Sequence, residues 1–156
     1  MNGFLPLPLN PGQFYKVFGG PYHQKPSKMV GVRMAAEIDA PAHIVVPTRD
    51  FSVPDIEAMT DGIDEAVSHI LLGRQVYVGC MGGIGRTGLF LAVLAKAFDV
   101  PDPVAYVRRH YLAHAVETQQ QRQYVAEFVI PGWTKKKIAL ARFLMKFSRK
   151  KLLTKE

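Results

Sequence analysis

Cys80 is the only cysteine of the chain. Arg86 follows it at six residues and Thr87 at seven, with Gly82, Gly83 and Gly85 between. Glycines let successive backbone N–H groups converge where a bulkier chain would clash, and an oxyanion fits the point of convergence. A helix starting near Thr87 aims its positive dipole end at the same point, worth roughly 0.3–2 kcal/mol of anion stabilisation. Arg86 then closes the cup with a planar fork suited to two oxygens of a phosphate. Cys80 lies at the floor facing phosphorus, and the dipole and cation that hold the anion favour thiolate over thiol. Cys80 is therefore read as a nucleophile toward a phosphate cradled by Met81, Gly82, Gly83, Ile84, Gly85 and Arg86.

The elements that must position these residues follow from the flanking sequence. Val76-Tyr77-Val78 is a β-branched and aromatic run that reads as a strand, and Leu89 to Phe98 is an almost wholly apolar helix. Three other readings of the loop are available. A nucleotide-binding loop requires Gly, four residues, then Gly-Lys-Ser/Thr, but here Cys80 stands for the first Gly and Arg86 for the Lys. A buried, inert cysteine beside a tight turn leaves Arg86 unexplained, since no carboxylate is near it in sequence. A sulfur-transfer loop usually has a different spacing.

The run Cys80-x-x-Gly83-x-x-Arg86-Thr87 resembles the Cys-x5-Arg-Ser/Thr motif of the cysteine-dependent protein tyrosine phosphatases, especially their compact dual-specificity branch. That resemblance implies an α/β fold, a small central mixed sheet flanked by helices with a strand–loop–helix active site. It implies phosphomonoester hydrolysis through a phosphocysteine, on phosphotyrosine and also phosphoserine or phosphothreonine of a protein or peptide, without cofactor or metal. The family's general acid is an Asp about 30 residues before the Cys, often in Asp-x-x-x-Pro, and Asp50 to Pro54 fits. Asp55 is the rival, although a carboxylate in the first turn of a helix has a structural reason to be there. Thr87 would ease departure of the thiolate. Gln121 matches the Gln of the family's Glu-Thr-x-x-Gln segment, which places the hydrolytic water, but Thr118 and Gln121 also satisfy a capping box. Where the family usually has His before the Cys, this chain has Gly79, so thiolate stabilisation rests on helix, amides and Arg86. Two alternatives stay beside this reading: a phosphoinositide or other lipid phosphatase, and a catalytically dead phosphate-binding module.

Around this site the rest of the chain is scaffold. Five prolines in the first 30 residues predict an extended arm at the start and short pieces such as Phe14 to Phe18. Val30 to Ile38 and His43 to Val46 suit strands, and the repeat Ile56, Met59, Ile63, Val67, Ile70 predicts an amphipathic helix ending at Gly73. Asp102-Pro103 starts another helix, whose Arg108, Arg109 and His110 complement its dipole.

Composition bounds the function. At 156 residues with 48% hydrophobic content, one domain over 1–131 is expected, followed by a basic amphipathic helix or tail over 132–156. The last 22 residues carry nine Lys or Arg against one Glu, a net +8; with +7 for the whole chain, the remainder is −1. As a helix over 135–153 this tail gathers Arg142, Lys146, Arg149 and Lys150 on one side and Leu140, Phe143, Leu144, Met145 and Phe147 around the other. Such a helix either packs on the domain or lies on an anionic membrane surface. Nucleic acid is not the expected partner. A lone cysteine excludes an internal disulfide, and a reactive thiolate survives best in a reducing compartment, so a cytoplasmic setting with peripheral membrane contact is expected. No metal-ligand cluster is evident, and no apolar stretch approaches the roughly 18 residues that span a bilayer.

Overall fold

The computed structural model describes residues 1–147. Five strands form one mixed sheet: β1 (Gly3–Asn10), β2 (Gln13–Pro21), β3 (Val30–Ala35), β4 (Ile44–Thr48) and β5 (Val76–Cys80), in the order β1-β2-β5-β3-β4. β2, β3 and β4 run parallel to β5 or to its neighbour, and β1 alone is antiparallel. The strand that ends at Cys80 is therefore central. Five helices surround the sheet: α1 (Ile56–Leu71), α2 (Gly85–Ala97), α3 (Pro103–His110), α4 (Gln119–Glu127) and α5 (Gly132–Met145). The small mixed sheet flanked by helices is the α/β architecture expected from the sequence.

The N-terminal segment differs from the expectation of a loose arm. Leu5, Leu7 and Leu9 alternate into the core while Pro6 and Pro8 lie at the intervening positions of an edge strand. Prolines are tolerated there because an edge strand has no second neighbour to receive their missing N–H bonds. The carbonyls of these residues face outward, where Tyr106 donates to Pro6 O and Arg142 to Pro8 O. Pro11 and Gly12 form the hairpin tip, with φ 74° at Gly12. β3 also stops earlier than Ile38: after Ala35 the chain turns, Ile38 N bonding back to Ala35 O, and this turn carries Glu37.

Successive residues of β5 point to opposite faces. Val76, Val78 and Cys80 join the core cluster that includes Leu89, Phe90 and Val93 of α2. On the other face Tyr22 lies against the backbone, and a Cβ at Gly79 would sit 2.7 Å from Tyr22 Cα. Helix α2 is buried almost throughout and starts at Gly85, two residues before the position read from the sequence. The periodic apolar residues of α1 are buried apart from Ile56, and Gly73 ends it at φ 77°.

Helix α5 begins at Gly132, three residues before the predicted start. The predicted span beyond residue 147 lies outside the described residues. Its Arg142 is not one of a row of solvated charges, as the sequence pattern implies. The guanidinium donates to Leu9 O at 2.8 Å and Phe98 O at 2.9 Å and pairs with Asp99. Arg142→Ala strands several of these carbonyls and should lower unfolding stability by about 1–3 kcal/mol. A fall in the urea midpoint with an unchanged slope is the expected result; an unchanged midpoint would show that α5 is not anchored this way.

Candidate active site

The chain leaves β5 at Cys80 and enters α2 at Gly85, so the intervening residues form a loop at the carboxyl end of the central strand. Open α/β sheets place ligands at this end. Gly83 adopts φ 72°, and an added Cβ there would lie 2.3 Å from the Gly20 carbonyl carbon, so only glycine fits. Cys80 Sγ accepts from Gly83 N at 3.3 Å and from Thr87 Oγ1 at 3.2 Å. Helix α2 has no side-chain N-cap, which leaves its first N–H groups to the loop. A cavity of about 140 Å³ opens above the sulfur, lined by Asp50, Phe51, Cys80, Met81, Gly82, Ile84, Gly85, Arg86 and Glu117.

Arg86 is 1% exposed, and its partner is a residue that the sequence did not point to. Nη1 and Nη2 donate to the two carboxylate oxygens of Glu37, each at 2.7 Å, and Nη1 also donates to Thr48 O at 2.9 Å. A guanidinium has five N–H donors, so these contacts leave the edge carrying Nε and one Nη2 hydrogen. Nε is buried without a hydrogen-bond partner, and its nearest carboxylate oxygen is Asp50 Oδ1 at 3.5 Å. Glu37 thus takes one edge of the fork and the other remains for two oxygens of an anion. Burial pulls the Arg86 pKa down, but its hydrogen bonds to Glu37 and the charges of Cys80, Glu37 and Asp50 outweigh it and hold the pKa above its ordinary value. In turn the hydrogen bond from Arg86 holds the Glu37 carboxyl below its ordinary pKa, against a smaller desolvation effect.

The loop amides are aimed by their carbonyls. Tyr111 Oη donates to Gly83 O at 2.6 Å, and Asn2 Nδ2 donates to Gly82 O at 3.0 Å and Gly83 O at 3.2 Å. In a planar peptide the C=O and the next N–H point in opposite directions. Pulling Gly82 O and Gly83 O outward therefore turns the N–H groups of Gly83 and Ile84 inward. Burial pushes the Tyr111 hydroxyl above its ordinary pKa, so it stays a proton donor. No histidine could occupy position 79 without displacing Tyr22, and the loop is held instead by Asn2 and Tyr111.

Asp50 is exposed at the cavity mouth, where its Oδ1 accepts from Phe51 N at 3.0 Å; Phe51 itself takes φ 58°. Asp55 is the N-cap residue of α1 and does not line the cavity. Gln121 is fully buried and does not line it either. Its Oε1 accepts from Thr118 N at 3.3 Å, completing the capping box, while Nε2 donates to Ser52 O at 3.1 Å. That second bond ties α4 to the loop carrying Asp50. Arg108 donates to Ala115 O and Val116 O, which explains it structurally. Glu117 adds a second carboxylate to the cavity lining.

No protein-family model matches the chain. Two curated proteins of Methanocaldococcus jannaschii, both uncharacterized, are 41% and 38% identical over 86 residues, 55% of this chain in each case. The chain spans 58% and 54% of the length of these relatives. Among solved structures, the active form of Tk-PTP superposes with TM-score 0.59 at 19% identity, covering 79% of this chain and 95% of that one. Kinase associated phosphatase, with its catalytic cysteine replaced by serine, gives 0.57 at 18% identity over 87% and 95%. PTPMT1 in complex with PI(5)P gives 0.55 at 18% identity over 72% and 80%. The fold is that of the cysteine-dependent protein tyrosine and dual-specificity phosphatases.

Two outcomes follow for the residues around the loop. Tyr111→Phe should weaken inorganic vanadate binding roughly tenfold by releasing the Gly83 carbonyl, while leaving the far-UV spectrum unchanged; unaltered vanadate affinity would remove the orienting role. For Glu37 the pKa is lowered in the fold, so its stabilisation is present above the unfolded value of about 4.3 and lost as pH falls through the folded value. The stability gap between wild type and Glu37→Gln should be full above about pH 5 and close at lower pH. A gap that widens on acidification would contradict the pairing.

Proposed function

We propose that the protein is a phosphomonoesterase that hydrolyses phosphotyrosine, and also phosphoserine or phosphothreonine, through a phosphocysteine intermediate. The observation that carries this reading is the pairing of Cys80 Sγ with Gly83 N and Thr87 Oγ1 beneath the unused edge of Arg86. A thiol on a bed of donors with a buried cation beside it is arranged to attack a phosphate, not to pack inertly.

In the first step the Cys80 sulfur bonds to phosphorus and the ester P–O bond breaks. The loop amides and Arg86 hold the equatorial oxygens, over which transition-state charge is spread. Asp50 gives its proton to the departing oxygen. In the second step water attacks phosphorus, Asp50 takes its proton, the S–P bond breaks, and Thr87 Oγ1 donates to the returning thiolate. We assign Gln121 to holding the Asp50 loop through Ser52 O, rather than to the water itself.

The lining favours a single phosphate on an organic group. Arg86 is the one cation among the lining residues, Asp50 and Glu117 are carboxylates, and Phe51 and Met81 are exposed apolar side chains. An apolar rim suits an aryl ester. A headgroup with several phosphates would meet two carboxylates and no second cation, so the lipid-phosphatase alternative is less well served.

Cys80→Ser should abolish turnover of p-nitrophenyl phosphate while retaining vanadate binding, because the hydroxyl fills the same space without supplying a thiolate. Asp50→Asn should lower kcat by roughly 10²–10⁴ on phenyl phosphate and much less on p-nitrophenyl phosphate, whose leaving group needs little protonation. Full activity of Cys80→Ser would end the nucleophile assignment. An Asp55→Asn variant showing the leaving-group dependence in place of Asp50→Asn would move the acid.

A further inference from the structure

Helix α5 divides sharply into a bound side and an uncovered one. On the bound side Thr134 and Ile138 are buried, Thr134 Oγ1 donates to Asp64 Oδ1 at 2.7 Å, and Lys137 reaches Asp64 Oδ2 at 2.9 Å. Together with Arg142 these contacts fix the rotation of the helix. The opposite side presents Trp133, Leu140, Phe143, Leu144 and Phe147, each 58–77% exposed. At about 100° per residue these five fall within an arc of roughly 100°. Lys136 lies inside that arc, and the exposed Lys135 and Lys146 follow one border of it.

We propose that this stripe docks on the surface of an anionic lipid bilayer. Apolar side chains of this size reach the boundary between headgroups and acyl chains, and lysines beside them meet acidic headgroups. The charge of this region supports a bilayer over a second copy of the chain. Lys135, Lys136 and Lys146 are exposed within or beside the stripe, so two copies facing each other across it would oppose like charge. No helix among the described residues is long and apolar enough to cross a membrane, so the contact is interfacial.

The fold also says where the cavity sits relative to this contact. Gln13 Nε2 donates to Met145 O at 2.8 Å and Asn10 Nδ2 to Arg142 O at 3.0 Å, so the end of α5 lies at the start of β2. β2 ends at Pro21, which pairs with Cys80. Its length separates the two sites by about 25 Å. Membrane contact at α5 and chemistry at Cys80 are therefore independent, and docking recruits the protein to a surface without presenting a headgroup to the cavity. The inference does not rest on the proposed hydrolysis.

Trp133 is the only tryptophan of the chain and stands at the start of the stripe, so its emission reports docking. The full chain should pellet with phosphatidylcholine vesicles that contain phosphatidylserine, with Trp133 emission shifting to the blue, and bind pure phosphatidylcholine at least tenfold more weakly. Phe143→Asp, and separately Lys135→Glu with Lys136→Glu, should each reduce binding tenfold or more. Both variants should keep wild-type turnover of p-nitrophenyl phosphate. Failure to bind acidic vesicles at low salt overturns the proposal. So does a wild-type dimer that Phe143→Asp makes monomeric, or an oligonucleotide that shifts Trp133 emission where acidic vesicles do not.

Discussion

The arginine of the loop is buried, and a buried guanidinium without a partner would cost several kcal/mol. Glu37 meets that cost with two short hydrogen bonds, and Thr48 O takes a third donor. The arrangement depends on the sheet. Glu37 follows the end of β3 and Thr48 ends β4, and both strands run parallel to β5, so all three carboxyl ends arrive at the same edge as Cys80. An antiparallel neighbour at either position would carry its end away. The parallel order thus explains how the fork can be held by the scaffold along one edge and keep the other for the anion of the proposed reaction.

The backbone of the loop faces a related constraint. Several N–H groups pointing at one spot repel each other until an anion arrives, and a free peptide would rotate to relieve this. Tyr111 and Asn2 restrain it by donating hydrogen bonds to the carbonyl ends of the same peptides outside the cup. Such restraint lowers the reorganisation needed on binding, which is what makes fixed dipoles more effective than water. Tyr22 and Tyr77 complete the support from the far face, where Tyr77 Oη donates to Pro21 O at 2.8 Å and burial pushes its pKa up to about 12. Gly20 and Gly31 give the hydroxyls of Tyr77 and Tyr22 room, where a Cβ would lie 2.4 and 2.6 Å from them, and Gly79 makes room for the Tyr22 backbone.

What could be read from the sequence is what is local in the chain. The Cys80 to Thr87 loop, the α1 repeat, the Asp102 cap and the Thr118–Gln121 capping box all state their structure within a few residues, and each is present. Contacts between distant segments were not legible. Glu37 lies 49 residues from Arg86, Asn2 lies 80 from Gly82, and Tyr111 lies 28 from Gly83. Nothing in their surroundings marks them. β1 was missed for a different reason, because Pro6 and Pro8 argue against a strand until the strand is known to be an edge, at which point the Leu5, Leu7, Leu9 alternation becomes the stronger signal.

Charge is distributed unevenly over the molecule, and that bears on both proposals. The cavity lining places two carboxylates beside one arginine, whereas Lys135, Lys136 and Lys146 lie along the exposed side of α5. Were these lysines beside the cavity, they would attract polyanions to it without distinguishing them. Separated from it by the length of β2, they would, under the proposed docking, draw the protein toward negative surfaces, while under the proposed function the acidic mouth would select against ligands that carry many charges. On that proposal long-range attraction and local selection act on different partners, which a single basic cleft could not achieve.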